Sequence, residues 1–215
     1  MMKVLVTGVK GQLGYDVVNE LTKRGIEAVG VDIQDMDITD AASVEKVIGE
    51  AAPDAVIHCA AYTAVDAAED NVELCRRVNA DGTQNIANVC KKLDCKMIYI
   101  STDYVFDGEG TRAWEPDDER HPLNVCGQTK YEGELAVQKC PADCRYDLTF
   151  MINVQVKIAL VKQFVQNLHF HSRVHRHIIT GSHREELCRH LCDRCDMKMQ
   201  SRQRLHDLPA MRHIL

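Results

Sequence analysis

Near the N-terminus, residues 3–14 read KVLVTGVKGQLG, a short apolar run followed by a glycine-rich turn. Gly8, Gly11 and Gly14 are spaced G-x-x-G-x-x-G, directly after a predicted strand and at the start of a predicted helix. Glycine at these places lets the backbone turn tightly and approach a pyrophosphate, whose charge is met by the N–H groups at the positive end of the helix. The pattern predicts a dinucleotide site, and the alternative is a turn without a ligand.

The residues after this turn continue an alternation of strands and helices. Beyond the first strand, Lys3–Val6, the pattern predicts helices at Gln12–Arg24, Ala41–Ala51 and Val78–Lys92 and strands at Ala28–Val31, Ala55–His58 and Lys96–Ile100. Asp40 is the predicted N-cap of the second helix. Repeated units of this length predict an α/β fold, a Rossmann-like doubly wound parallel sheet with helices on both faces. Within such a sheet we expect His58 and Cys59 to be packed core residues.

The composition changes near Cys140. Up to Lys139 acidic residues outnumber basic ones, whereas after it basic residues prevail and most of the ten histidines occur. The pattern of strands and helices also stops there. We therefore predict an NAD(P)-binding Rossmann-like domain at 1–139 and an atypical C-terminal region of unassigned fold at 140–215. A shifted reading frame or a replaced region would leave such a change.

Cysteine and histidine in the second region raise the question of a metal site. Cys188, Cys192 and Cys195 occur close to His183 and His190, and thiolate and imidazole are zinc ligands. A zinc signature has two ligand pairs separated by a loop, and here only Cys192 and Cys195 form a C-x-x-C pair. We therefore predict no metal site.

The overall composition is that of a globular domain, with 45% hydrophobic residues, 27% charged residues and a net charge of −6. The negative charge gives no reason to expect nucleic acid as a partner. No run approaches the ~18 apolar residues that span a bilayer, and the first strand is too short for a signal peptide. We expect a cytoplasmic protein without membrane partners, whose ten cysteines are reduced thiols.

A second stretch, from Ser101 to Lys130, carries residue types that carbonyl reduction needs. Ser101 and Thr102 follow the predicted fourth strand, and Cys126 precedes Lys130 by four residues. In nicotinamide reductases of the short-chain type, a hydroxyl side chain at a strand end and a helical Tyr-x-x-x-Lys deliver a proton to a carbonyl. Cys126 stands where that tyrosine would be.

Asp32, at the end of the second strand, bears on the choice of cofactor. A carboxylate there accepts hydrogen bonds from an adenosine ribose and repels a 2′-phosphate, which favours NADH. Lys10 lies inside the glycine-rich turn and offsets that repulsion, which keeps NADPH open. The sequence predicts NADPH or NADH without choosing between them.

Together these motifs resemble the dTDP-4-dehydrorhamnose reductase family of extended short-chain dehydrogenases/reductases. The resemblance covers about residues 2–139 and is carried by VTGVKGQLG from Val6, HCAAYTAVDAAE from His58, VNA from Val78, STDYVFDG from Ser101 and GQTK from Gly127. It implies reduction of the C4 keto group of a nucleotide-sugar substrate, dTDP-4-dehydro-L-rhamnose, to give dTDP-L-rhamnose. A sheet left with an open edge would favour a homodimer.

The resemblance also implies roles for individual residues. The cofactor-binding set is Gly8, Lys10, Gly11, Gln12, Leu13 and Gly14 at the phosphates, Asp32, Asp37 and Ile38 at the adenosine, and Ala61, Tyr62 and Thr63 along the middle of the dinucleotide. Thr102 would hydrogen-bond to the keto oxygen, with Asp103 also at the substrate. Lys130 would hold the nicotinamide ribose and favour the ionised form of the catalytic tyrosine.

Two departures from the family pattern predict impaired catalysis. A general acid must come within ~3 Å of the oxygen it protonates, and the side chain of Cys126 is much shorter than that of tyrosine. The substrate domain expected past Lys139 is truncated or atypical. Two alternatives stay open: Cys126 is a reactive nucleophile whose pKa is lowered by Lys130, or the chain is a non-catalytic NAD(P)-binding regulatory module resembling the β subunit of methionine adenosyltransferase.

Overall fold

Parallel strands form the centre of the molecule. The structure, a computed structural model, describes residues 2–109, 114 and 118–139, with the backbone alone at 146–151 and 175–177. The strands are β1 (Lys3–Thr7), β2 (Glu27–Val31), β3 (Ala55–His58), β4 (Lys96–Thr102), β5 (Tyr146–Met151) and β6 (His175–His177). Their order is β2-β1-β3-β4-β5-β6, and every neighbouring pair is parallel. The predicted α/β fold with a Rossmann-like parallel sheet is confirmed.

The strand order places a crevice between β1 and β3. The chain moves from β1 outward to β2 and then returns to the other side of β1 to form β3 and β4. In open α/β sheets, ligands bind outside the carboxyl ends of the strands at the point where the order reverses. The backbone of β5 and β6 lies past Lys139, so the sheet extends beyond the predicted domain boundary, which stays a prediction.

Six α-helices occur in the described part of the chain. They are α1 (Gln12–Lys23), α2 (Ala41–Ala51), α3 (Val65–Asp70), α4 (Val72–Arg76), α5 (Gly82–Leu93) and α6 (Val125–Gln138). Asp40 caps α2 as predicted, because its Oδ1 accepts a hydrogen bond from the Ala42 N–H at 2.9 Å. The pattern did not predict the short helices α3 and α4. No helix in this part of the chain is long and apolar enough to cross a membrane.

The single helix predicted at Val78–Lys92 is wrong at its start. A π-helical turn occupies Arg77–Asp81, and α5 begins only at Gly82. Within this π-helical turn, the buried side chain of Asn79 faces the backbone of Tyr62 and forms two hydrogen bonds with it. Hydrophobic periodicity cannot detect this change, because the same residues continue to present an apolar face.

The main hydrophobic core lies between the sheet and the helices α2 and α5. It includes the buried side chains of Leu5, Val44, Ile48, Val56, Ile86 and Tyr99. Burial of each large apolar side chain contributes about 1.5–3 kcal/mol. His58 is buried as predicted, between the hydroxyls of Thr7 and Thr83. Cys59 is only half-buried, which differs from the predicted core position.

Helix α6 packs closely against its neighbours at Gly133. A Cβ atom added at Gly133 would lie 2.3 Å from the Tyr99 hydroxyl and 2.7 Å from the Asn79 carbonyl oxygen. The hydroxyl of Tyr99 donates a hydrogen bond to the Lys130 carbonyl at 3.2 Å, which fixes its place. Only glycine therefore allows α6 to pack against β4 and the π-helical turn.

We expect Gly133→Ala to lower the free energy of unfolding by about 1–3 kcal/mol, since the added methyl group overpacks a rigid contact. The matched control is Gly49→Ala, at an exposed helical position where a Cβ meets nothing within 4 Å. That change should raise stability by about 0.5–1 kcal/mol through helix propensity. Urea denaturation measures both. Equal stability of the two variants would contradict the close packing of α6.

Candidate active site

A cavity of about 660 Å³ opens at the carboxyl ends of β1, β3 and β4. This volume is in the range of small-molecule and cofactor sites. The predicted site residues that line it are Gly8, Lys10, Gly11, Gln12, Leu13, Gly14, Asp32, Asp37, Ile38, Ala61, Tyr62, Thr63, Thr102, Cys126 and Lys130. Asp103 is the predicted site residue that does not line it. The fold thus brings both motifs, which are far apart in sequence, to one cavity.

The glycine-rich turn packs tightly on itself at the N-terminus of α1. Gly8 has a φ of +69°, which favours glycine, and its N–H donates to the Val31 carbonyl at 2.9 Å. A Cβ at Gly14 would lie 2.3 Å from the Gly8 carbonyl oxygen. The N-cap residue, Gly11, supplies no capping side chain. The N-terminal end of α1 therefore borders the cavity with its positive dipole, an arrangement that suits a pyrophosphate.

Asp32 and Lys10 lie together at one end of the cavity. The Asp32 carboxylate accepts the N–H groups of Lys10 and Ile33, each at 2.9 Å. The Lys10 ammonium donates to the side-chain oxygen of Gln34. The same end thus offers a carboxylate for ribose hydroxyls and a cation for a phosphate. The choice between NADPH and NADH stays open, as in the sequence.

Asn79 holds the loop after β3 against α6. Its Oδ1 accepts from the Tyr62 N–H at 2.8 Å, and its Nδ2 donates to the Tyr62 carbonyl at 3.1 Å. The same Nδ2 also lies 3.2 Å from the Thr129 hydroxyl on α6. We did not predict a role for Asn79, because one polar residue in an apolar helical pattern carries no signal of what its side chain contacts.

Thr102 ends β4 beside the cavity and begins a short 3₁₀ turn, Asp103–Val105. Its hydroxyl donates to the Asp103 carboxylate at 3.0 Å and accepts from the Tyr104 N–H at 3.3 Å. Asp103 therefore contacts the Thr102 hydroxyl rather than the cavity. Its predicted contact with substrate stays a prediction.

Lys130 lies on α6 with its ammonium group beneath the end of β4. Nζ donates to the Ile100 carbonyl and lies 4.2 Å from the centre of the Tyr99 ring. Burial lowers the pKa of Lys130 to about 8, while negative charge at Cys126 and Glu134 would raise it. Lys130 is thus a cation on the cavity wall at neutral pH.

Cys126 lies in the first turn of α6 and is only 5% exposed. It packs with Ala68, Cys75 and Tyr62, and its thiol is 3.8 Å from the Tyr62 carbonyl. Burial raises the pKa of Cys126 and the neighbouring Cys75 adds to this rise, whereas Lys130 acts in the opposite direction. A reactive nucleophile needs a lowered pKa, so the structure gives that alternative no support.

Cys188, Cys192 and Cys195, the possible zinc ligands in the sequence, lie outside the described residues. Among the residues that the structure does describe, no group of three or more His, Cys, Asp or Glu side chains is arranged to hold a metal ion.

Comparison with known proteins places the matched region within one family. The model of a family described as the RmlD substrate binding domain matches residues 2–147. dTDP-4-dehydrorhamnose reductases from Mycobacterium tuberculosis H37Rv and Streptomyces griseus are 40% and 39% identical over 139 and 142 residues. These alignments cover 63% and 66% of the chain, but 45% and 47% of the relatives. The chain thus spans about half the length of the curated relatives it matches.

Solved structures support the same relationship. A crystal structure of a dTDP-4-dehydrorhamnose reductase from Clostridium acetobutylicum has a TM-score of 0.75 and 28% identity, covering 92% of this chain and 82% of that one. The Bacillus anthracis enzyme, in complex with NADP, has a TM-score of 0.76 and 27% identity, covering 93% and 83%. The similarity therefore includes the fold as well as the sequence motifs.

The burial of Cys126 predicts slow alkylation. In the folded chain we expect iodoacetamide to modify Cys126 at least about tenfold more slowly than in the urea-unfolded chain, because the thiolate is the reacting species and burial disfavours it. Peptide mass spectrometry after timed labelling measures the rate at this one residue, and unfolded chain is the internal control. Faster labelling of Cys126 in the folded chain would restore the nucleophile hypothesis.

Proposed function

Because the chain belongs to the RmlD substrate binding domain family, we propose that it is the dinucleotide-binding part of an NAD(P)H-dependent reductase of nucleotide-sugars. The observation that carries this proposal is that one cavity, at the point where the strand order reverses, contains both motifs. The glycine-rich turn borders one side of it, and Thr102 and Lys130 border the other. A phosphate-binding turn and a pair of groups suited to carbonyl chemistry thus share one space.

The proposed cofactor is NADPH or NADH, bound along the cavity. Its pyrophosphate would meet the turn at Gly8–Gly14 and the N-terminus of α1, while Asp32 would accept hydrogen bonds from the adenosine ribose. Asp37 and Ile38 would border the adenine, and Ala61 to Thr63 the middle of the dinucleotide. The Bacillus anthracis relative was crystallised with NADP, which supports this class of ligand.

The proposed substrate is dTDP-4-dehydro-L-rhamnose, reduced at its C4 keto group. When bound, the cofactor supplies a hydride to that carbon, and the carbonyl oxygen then needs a proton. The Thr102 hydroxyl would turn its hydrogen from the Asp103 carboxylate to this oxygen, and the Lys130 ammonium would hold the nicotinamide ribose and stabilise negative charge nearby. We also propose that the protein forms a homodimer and is located in the cytoplasm.

Cys126 is the weak point of this mechanism. Loss of one general acid typically costs ~10²- to 10⁴-fold in rate. The Cys126 thiol is buried against Tyr62, and its raised pKa makes it a poorer acid. We infer that the chain binds the cofactor but reduces the sugar slowly.

A second candidate function is a non-catalytic NAD(P)-binding regulatory module. The buried Cys126 favours it, since binding alone needs no proton donor at this position. The two candidates share the cofactor site and differ in turnover.

Cofactor binding is tested by titrating the chain with NADPH and NADH and following nicotinamide fluorescence. We expect both to bind, and Lys10→Gln to weaken NADPH by about tenfold while leaving NADH less affected, since a charged hydrogen bond contributes about 1.5–3 kcal/mol. Lys46→Gln on the exposed side of α2 is the matched control and should leave both affinities unchanged. Absence of binding by the unaltered chain would refute the proposed function.

Catalysis is tested by restoring the phenol. We expect Cys126→Tyr to increase the oxidation of NADPH by dTDP-4-dehydro-L-rhamnose by about 10²-fold or more, because tyrosine returns a proton donor to the cavity. Cys126→Ser, which removes the thiol without adding a phenol, is the matched control and should give no gain. If both variants bind cofactor and neither turns over, the regulatory module is the better description.

A further inference from the structure

Glu134 is a buried carboxylate that the proposed mechanism does not use. It lies on α6 one turn after Lys130, and its side chain has no solvent exposure. The Ser101 hydroxyl donates to one carboxylate oxygen at 2.5 Å, and Arg120 Nε donates to the other at 3.3 Å. A carboxylate is rarely buried without such partners, because removing its charge from water is costly.

The first partner connects Glu134 to the end of β4. Ser101 directly precedes Thr102, which would contact the keto oxygen, and both belong to the same strand. Glu134 and Lys130 belong to the same helix, one turn apart. The hydrogen bond from Ser101 to Glu134 thus joins the two elements that carry Thr102 and Lys130, at a point close to both residues.

The second partner connects Glu134 to the segment that leads into α6. The guanidinium of Arg120 is 6% exposed and lies 5.0 Å from the centre of the Phe106 ring. The next residue, His121, donates its N–H to the Val105 carbonyl at 2.9 Å. Because arginine stays protonated, the negative charge of Glu134 stabilises this buried guanidinium.

Charge also couples Glu134 to Lys130. The titratable groups that act on Lys130 are Glu134 and Cys126 on α6, Cys59 after β3 and Cys75 on α4. Glu134 is the one carboxylate among these four groups, and burial raises the pKa of the Cys126 and Cys59 thiols. Burial raises the pKa of Glu134, while the hydrogen bond from Ser101 and the charge of Arg120 lower it.

We propose that Glu134 is a positioning residue of the active site, which holds the end of β4 through Ser101 and places a carboxylate one helical turn from Lys130. This inference rests on the proposed function, since it assigns Lys130 to the nicotinamide ribose. Glu134 would not touch substrate or cofactor. It acts through the two residues beside it, one by geometry and one by charge.

The effect of Glu134 on the charge of Lys130 can be separated from its effect on geometry by measuring how cofactor affinity depends on pH. The Lys130 ammonium favours cofactor binding through a charge-assisted hydrogen bond, so affinity falls as pH rises through the pKa of Lys130. Removing the charge of Glu134 lowers that pKa, and the fall then begins at lower pH. NADH is the better probe because it lacks the 2′-phosphate of NADPH, whose second ionisation lies near pH ~6.

The experiment measures the Kd of NADH from about pH 6 to 9 for the unaltered chain and for Glu134→Gln. For a shift of about one pH unit in the profile, we expect the variant to bind about fivefold more weakly near pH 8, about tenfold more weakly near pH 9, and within about twofold near pH 6. Glu132→Gln is the matched control, because Glu132 lies on the same helix and pairs with Arg76 at 2.8 Å. Its profile should match that of the unaltered chain.

A second variant tests the geometric effect and does not depend on Glu134→Gln folding. Ser101→Ala removes the hydroxyl and keeps the carboxylate, so the NADH profile should stay in place. In the Cys126→Tyr background it should lower kcat about tenfold with little change in the KM for NADH.

An equal loss of NADH affinity at every pH in Glu134→Gln would mean a merely structural role and would overturn the inference. An unchanged kcat in Ser101→Ala would overturn it as well. In either case NADH binding by the unaltered chain leaves the proposed function standing. If the unaltered chain fails to bind NADH, the proposed function falls and this inference falls with it.

Discussion

The site depends on one buried hydroxyl, that of Thr7 at the end of β1. It accepts the N–H groups of Cys59 and Ala60, each at 3.1 Å, and lies 2.8 Å from His58 Nδ1. The other ring nitrogen of His58 is 3.2 Å from the Thr83 hydroxyl on α5. These bonds hold β1, β3 and α5 at the place where the strand order reverses. Burial lowers the pKa of His58 to about 3, so the ring stays neutral and both contacts persist at neutral pH.

The side of the cavity lined by Thr102 and Lys130 depends on how closely α6 packs against the sheet and the π-helical turn. Gly133 lets the helix contact Tyr99 and Asn79 directly, and Asn79 in turn fixes the backbone of Tyr62. The same approach buries Lys130 and Glu134. A buried ammonium group must then be matched by nearby acceptors and negative charge, which is why so many polar contacts gather at the end of β4.

Cys126 packs well where it lies, but it does not suit the proton delivery that the proposed mechanism assigns to this position. It fills a small apolar pocket with Ala68 and Cys75, so the start of α6 is well packed without a phenol at this position. In the proposed function, the residues assigned to the cofactor are thus retained while the residue assigned to proton delivery is changed.

The sequence by itself determined the parallel sheet, the glycine-rich turn and the identity of most residues lining the cavity. Local signals suffice for these features, since strand alternation, turn glycines and strand-end polar residues are read along the chain. Tertiary structure alone decided the π-helical turn at Asn79, the contact of Asp103 with Thr102, and the burial that raises the pKa of Cys126. It also joined Ser101, Arg120 and Glu134. The burial of Cys126 and the joining of Ser101, Arg120 and Glu134 depend on residues that are distant in sequence, and on how much water is removed from around them.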